Sequence, residues 1–431
     1  MTQRSSKLLI VLAVLFTACS TFTAAAAGID LTRTREKAVS FEAESIEAMH
    51  HGAASAMLGP ERLGRGWEFG PDKEVMTRLL GKLAAFDAAG FAERLNAYSP
   101  REAIVDGTAI RFFVEPGSGT NPPVVLLLHG WPHNVAAFLP VIDRLAHPER
   151  FGGDAQDGVT VIAPSYPNYP LSDRLVPPPG PRAIAAMMTK LMTGALGIER
   201  FYVQGGDWGS HIGAWMALEA PEAVAGLHLN HVFVRRPEDA IGLGPVTRAP
   251  NTSSKDLAFF DAETAALQGS ALAYLFQLAE RPQSLGWLLA GDVLATTAWY
   301  VDKYYLWADR RRQSFADGWS DVELLDQLAL MLLTGSEETS TWIYAGFAAE
   351  DPPILPAGSR VTVPTAYAAF ADTLNLPLPR NTVARSYNLV SYTEPTPGAH
   401  FPMVEAPEVF AADVLAFVNE LESSAETGDQ P

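Results

Sequence analysis

The stretch FYVQGGDWGSHIG, residues 201–213, decides the fold. Its apolar opening, Phe201-Tyr202-Val203, reads as a buried strand, and the small residues after Asp207 allow a helix to start hard against it. Gly205, Gly206 and Gly209 flank Asp207, the spacing of a strained strand-to-helix elbow in which larger side chains would collide with strand or helix. The residue at the tip of such an elbow is usually a serine nucleophile. Here it is an acid. A carboxylate with a reference pKa of about 3.9 is already ionised at neutral pH, so it needs no base to attack carbon.

Continuous apolar runs of strand length lie to either side: PPVVLLLHG (122–130), GVTVIAPS (158–165) and VAGLHLNH (224–231). Uninterrupted Val, Ile and Leu separated by helical stretches mark strands covered on both faces, hence a mostly parallel, doubly wound α/β sheet. RVTVPTAYAAF (360–370) and NLVSYTEPTPG (388–398) supply its last two strands. Before the core, residues 40–100 read as helices, and REAIVDGTAIRFFVEPG (101–117) reads as a hairpin turning at Asp106-Gly107. Pro407 opens a final helix with Phe410, Val414, Phe417, Val418 and Leu421 on one face. The strand pattern stops between 232 and 350, where Leu, Ala, Trp and Tyr predict an all-helical cap, inserted before the last two strands and over the carboxyl edge where open α/β sheets bind ligands.

At 431 residues, with 48% hydrophobic and 19% charged residues, the chain has ample material for one large core with an elaboration. Its formal net charge of −18 argues against nucleic acid or anionic membranes as partners. Residues 1–27 carry Arg4 and Lys7, an apolar run from Leu8 to Ala18 and then small residues, as an export signal does. Cleavage before Gly28 would leave a soluble exported protein and take the formal charge from −18 to −20. A lipoprotein site at Cys19 is the competing route. Cys19 is the only cysteine, which excludes an intramolecular disulfide and a cysteine metal cluster.

Nucleophile, acid and then histidine is the chain order of the α/β-hydrolase fold. Asp207 supplies the first term, and His400, in PTPGAHFPMVEAPE (395–408), sits between the last strand and the last helix, where that fold places its base. In LLLHGWPHN (126–134) a strand runs into a turn that can aim backbone N–H groups inward. The amides of Trp131 and Trp208 are the candidate oxyanion donors. His129 is expected to bond loop backbone and do no chemistry.

HGWP (129–132), GGDWG (205–209), GLHLN (226–230) and GAHFPMVEAPE (398–408) together resemble the microsomal and juvenile-hormone type epoxide hydrolases. The likeness runs from about residue 60 to 421 and includes that family's N-terminal segment, seen in WEFG (67–70) and AERLNAYSPREAIVDGTAIRFF (92–113). It implies a segmentation into N-terminal segment (28–100), core (101–231 and 351–422), cap (232–350) and disordered tail (423–431). It also implies two cap tyrosines, for which Tyr274 and Tyr344 occupy matching places, to donate hydrogen bonds and a proton to the epoxide oxygen. Asp207 would open the ring and form an ester, and His400 would activate water to release a vicinal diol, without metal or cofactor.

The orienting acid departs from the family pattern. Thr373 stands at the matching place in VPTAYAAFADTLNL (363–376), and Asp372 stands one place early. Asp372 is the expected partner of His400, with Glu350 and Asp351 as fallbacks. SYPNYPLSD (165–173) has Asn168 and Pro170 where the family has glycines, and His133 replaces a small residue, expected to narrow the entrance. Trp287, Trp299, Trp342 and Phe276 suggest a bulky apolar ligand, though such residues more often form core. Two other readings stand beside the epoxide one. A haloalkane dehalogenase shares the aspartate elbow but releases halide, which needs no proton donor. A secreted binding protein on a decayed scaffold would show neither turnover nor adduct.

Overall fold

The computed structural model describes residues 29–60, 63–232, 273–354, 356, 359–373 and 376–427. The leader, Cys19 and the end of the tail lie outside them. Nine strands form one sheet: β1 (Thr34–Glu36), β2 (Arg101–Val105), β3 (Thr108–Glu115), β4 (Val124–Leu128), β5 (Thr160–Pro164), β6 (Phe201–Gly205), β7 (Val224–Leu229), β8 (Val361–Ala368) and β9 (Tyr387–Thr393). Their order is β1-β2-β3-β5-β4-β6-β7-β8-β9. From β5 to β9 every pairing is parallel, while β1, β2 and β3 add an antiparallel edge. Every residue of β4, β6 and β7 is buried, as expected of apolar runs covered on both faces. Each Leu of β4 so enclosed contributes about 1.5–3 kcal/mol.

Two helix pairs cover the sheet: Pro181–Lys190 with Trp208–Glu219, and Leu139–Ala146 with Pro407–Thr427. The expected apolar face of the last helix is buried at Phe410, Val414, Phe417, Val418 and Leu421. That helix continues to Thr427, past the point where a disordered tail was expected, because Glu, Ser and Ala there favour another helical turn over a breaker. The β2–β3 hairpin turns at Asp106 and Gly107, both with positive φ (49° and 83°), which suits the right-handed twist of the flanking strands. The short β1, which no pattern announces, pairs with β2.

Between β7 and β8 the described residues form helices Ala273–Glu280, Pro282–Leu289, Val293–Trp307, Asp321–Thr334 and Ile343–Ala349. Helix 321–334 begins with a capping box, Ser320 and Glu323, and ends at Gly335 in the left-handed region (φ 61°). The N-terminal helices Ala43–Ser55 and Lys73–Leu83 pack against helices 293–307 and 321–334 of this cap. No described helix is long and apolar enough to cross a membrane.

Candidate active site

Asp207 stands between β6 and helix 208–219 at φ 50° and ψ −130°, a conformation that costs on the order of 1–3 kcal/mol for a non-glycine residue. Close packing imposes it. A Cβ on Gly209 would lie 1.9 Å from the Leu128 carbonyl oxygen, and one on Gly130 would lie 2.3 Å from Asp207 Cβ. Only bare backbone at 130 and 209 lets β4, the elbow and the helix meet. In return, Trp131 N–H donates to Asp207 Oδ1 at 2.9 Å. Trp208 is the first residue of the helix, so its backbone N–H has no partner within the helix.

The other carboxylate oxygen, Oδ2, faces His400 Nε2 at 3.5 Å. Behind His400, its Nδ1 lies 2.7 Å from Asp372 Oδ2. Both groups are buried. Burial alone would lower the histidine pKa, but the charge of Asp372 with its hydrogen bond, and the charge of Asp207 3.5 Å away, outweigh it and raise the value to about 10. For Asp372 burial works upwards, and the two facing histidines, His400 and His231, overcome it and hold the carboxyl well below its usual range. The loop carrying His400 is pinned by Trp307 and Asp309 of the cap and by Glu405 just beyond the loop. His400 N–H donates to the Trp307 carbonyl (3.3 Å), Gly398 N–H to Asp309 (3.0 Å) and Ala399 N–H to buried Glu405 (2.7 Å).

Tyr274 and Tyr344 come together from separate cap helices. Their hydroxyls are 3.4 Å apart and both rings are buried. Trp131 stacks on Tyr274 (centroids 5.5 Å, 16°) and meets Tyr344 edge-on at 5.5 Å, while the Trp208 ring meets Tyr344 at 4.9 Å. The two tryptophans adjoining the carboxylate therefore also position the phenols with their rings. Burial, and for both the nearby charge of Asp207, raises the tyrosine pKa values, so the phenols keep their protons at neutral pH and can donate them.

A protein of Stigmatella aurantiaca (strain DW4/3-1), provisionally assigned as an epoxide hydrolase, is 30% identical over 322 residues, covering 74% of this chain and 70% of that relative. The chain belongs to the epoxide hydrolase family. Epoxide hydrolase 1 of Oryctolagus cuniculus is 28% identical, over 88% of this enzyme and 87% of the relative. Family models described as "Epoxide hydrolase N terminus" and "alpha/beta hydrolase fold" match residues 34–138 and 123–265. The crystal structure of juvenile hormone epoxide hydrolase from the silkworm Bombyx mori superposes with a TM-score of 0.77 at 25% identity, over 90% of the enzyme and 95% of that chain. The fold is that of the α/β-hydrolases.

Several expectations need correction. Glu350 does not serve His400: its carboxylate accepts Arg182 N–H (3.2 Å) and Ala183 N–H (2.9 Å), capping helix 181–190. Asp351 is exposed. Thr373, at the family's acid position, donates its hydroxyl to the Leu306 carbonyl (3.0 Å). Trp287 (71% exposed) and Phe276 (41%) face solvent, so they are not core. His133 is no entrance residue but lies buried against Phe401 (4.3 Å), Tyr304 and Trp319, as its burial in an apolar cluster keeps it neutral. His129 bonds loop backbone through Nδ1 and the Gly130 carbonyl (3.1 Å) and stacks on Tyr166. Asn168 takes φ 71°, accepts Leu175 N–H on its side chain (2.7 Å) and offers its carbonyl to the Thr339 hydroxyl (2.6 Å), fastening this loop to the cap.

Sequence reasoning missed His231. Its Nε2 lies 2.6 Å from Asp372 Oδ2, and its Nδ1 accepts Asp207 N–H at 2.6 Å. The sequence shows only that His231 follows GLHLN at the end of a strand; that β7 lies beside β6, which brings His231 to Asp207, is visible only in the folded sheet.

Proposed function

We propose that the enzyme hydrolyses an apolar epoxide to a vicinal diol through an ester of Asp207. Asp207 Oδ2 attacks a ring carbon, the ring C–O bond breaks, and its electron pair goes to the former ring oxygen. That oxygen takes a proton from Tyr274 or Tyr344. With Asp207 neutralised, His400 releases its Nε2 proton to solvent. The freed nitrogen takes a proton from water, and the hydroxyl adds to the Asp207 carbonyl carbon. The developing oxyanion falls to the Trp131 and Trp208 amides. Collapse breaks the ester bond, the diol oxygen recovers the proton from His400, and the proton left on the new carboxyl group replaces the one the tyrosine lost. The imidazole regains a proton from solvent when the carboxylate is restored. The observation that carries the reading is the carboxylate held between the Trp131 amide and His400, with Asp372 behind. The enclosing rings of Trp131, Trp208, Trp307 and Phe401 support an apolar substrate.

Before alkylation His400 touches two anions. Esterification neutralises Asp207, so His400 holds its proton less tightly in the step where it must act as base. A single turnover in heavy-oxygen water tests the path. The label is expected first in the Asp207 peptide by mass spectrometry, and in diol only from the second turnover onward. Label in the first diol formed would mean that water attacks the epoxide directly.

A further inference from the structure

One carboxylate oxygen in the site serves two histidines. Asp372 Oδ2 is 2.7 Å from His400 Nδ1 and 2.6 Å from His231 Nε2. The remaining ring nitrogen of His231 accepts the Asp207 backbone N–H at 2.6 Å. A ring nitrogen that accepts carries no proton, so His231 holds its hydrogen on Nε2 and donates it to Asp372. An imidazolium would aim a second N–H at the Asp207 amide. Burial and the neighbouring His400 also disfavour the charged form.

We propose that His231 is a positioning residue for ester hydrolysis, tying Asp372, and through it the ring of His400, to the backbone of Asp207. The proposal rests on the reading of Asp207 as the alkylated group and His400 as the base. Its physical content is a shared oxygen. Each N–H donated to Asp372 draws on the same negative charge, so the His231 bond reduces the hold of Asp372 on the His400 proton. Among the described residues, the titratable groups Asp207, Asp372, His231, His133 and Glu405 face His400. Once Asp207 is an ester, Asp372 is, among the described residues, the anion hydrogen-bonded to His400, and the His231 bond then matters most.

Two variants separate the two ends of the ring. In His231→Asn the side-chain oxygen stands where Nδ1 accepts the Asp207 amide, but the side chain is too short for Asp372. In His231→Gln the amide nitrogen stands where Nε2 donates to Asp372. Rapid-quench single turnovers with styrene oxide, from pH 5 to 10, resolve ester formation from ester hydrolysis. In H231N the acid limb of the hydrolysis phase is expected to move up by about one pH unit, slowing hydrolysis about tenfold below the limb. H231Q is expected to keep the wild-type limb. An unmoved limb in H231N, or an equal shift in H231Q, overturns the role of His231 while leaving the ester path standing. Should H231N fail to fold, the limb of H231Q decides: the wild-type position supports the proposal and a raised one overturns it. A wild type that forms no ester overturns the underlying reading, and this proposal with it.

Discussion

At Asp207 the chain accepts a strained backbone to put one carboxylate between a backbone amide and an imidazole. The carboxylate explains the attack but not the leaving group, since an alkoxide leaves poorly without an acid. On the proposed path that burden falls on the paired phenols of Tyr274 and Tyr344, which burial keeps protonated. General acids of this kind are worth roughly 10²–10⁴-fold in rate. With two donors on one oxygen, Tyr274→Phe or Tyr344→Phe alone is expected to slow Asp207 ester formation by about the lower figure, and the double variant by about the upper one. Ester hydrolysis, which the proposed path assigns to His400, should keep its rate in all three. Rapid-quench measurement of both phases checks this, and a double variant alkylating at the wild-type rate would remove the tyrosines from the mechanism. At this scale the sequence exposed Asp207 and His400 through their local settings, a glycine-flanked turn and a loop before the last helix. Asp372 was harder because a loop offset of one residue changes nothing in composition and everything in reach. His231 was hidden because its role depends on which strand lies beside β6.

The elements succeed or fail on backbone approach. β4, β6 and the helix that starts at Trp208 are held so closely that Gly209 has the Leu128 carbonyl where a side chain would begin. The obstructing atom is main chain and the position of a Cβ does not depend on rotamer, so no side-chain movement can relieve the clash. Gly209→Ala is therefore expected to cost more than the 1–3 kcal/mol typical of overpacking, roughly 4 kcal/mol or above, with loss of soluble protein or a large drop in melting temperature. Gly194→Ala, where nothing lies within 4 Å, is the control and should melt as wild type does. Equal melting of G209A and wild type would show that the elbow is looser than described. The parallel strands were legible because burial on both faces leaves an unbroken apolar run, and the hairpin because Asp-Gly adopts its two positive φ angles cheaply. β1 and the fastening of the 165–175 loop were not legible, since each depends on partners far away in the chain: β2 in one case and the Thr339 hydroxyl in the other.

Over the whole molecule, the N-terminal segment braces the cap that carries the phenols. Arg78 and Lys82 pair with Asp321 at 3.1 and 2.6 Å, but all three are partly exposed, and such pairs contribute about 0–1 kcal/mol each. The stacking of Trp67 on Tyr305, with centroids 3.7 Å apart and planes within 7°, outweighs them, at about 0.5–1.5 kcal/mol beyond the area it buries. Tyr305 is two residues from Trp307, whose ring lies 5.4 Å from Tyr274 and 5.0 Å from His400, and whose carbonyl accepts the His400 amide. The end of helix 293–307 thus links the brace to Tyr274 and His400. Trp67→Ala is expected to lower the melting temperature by a few degrees and to slow turnover, because the helix end that holds both His400 and Tyr274 gains freedom. Trp67→Phe, which keeps an aromatic face against Tyr305, should recover most of both. Calorimetry and steady-state rates on the two variants decide the matter: if W67A melts and turns over as wild type does, the N-terminal segment covers the cap without steadying it.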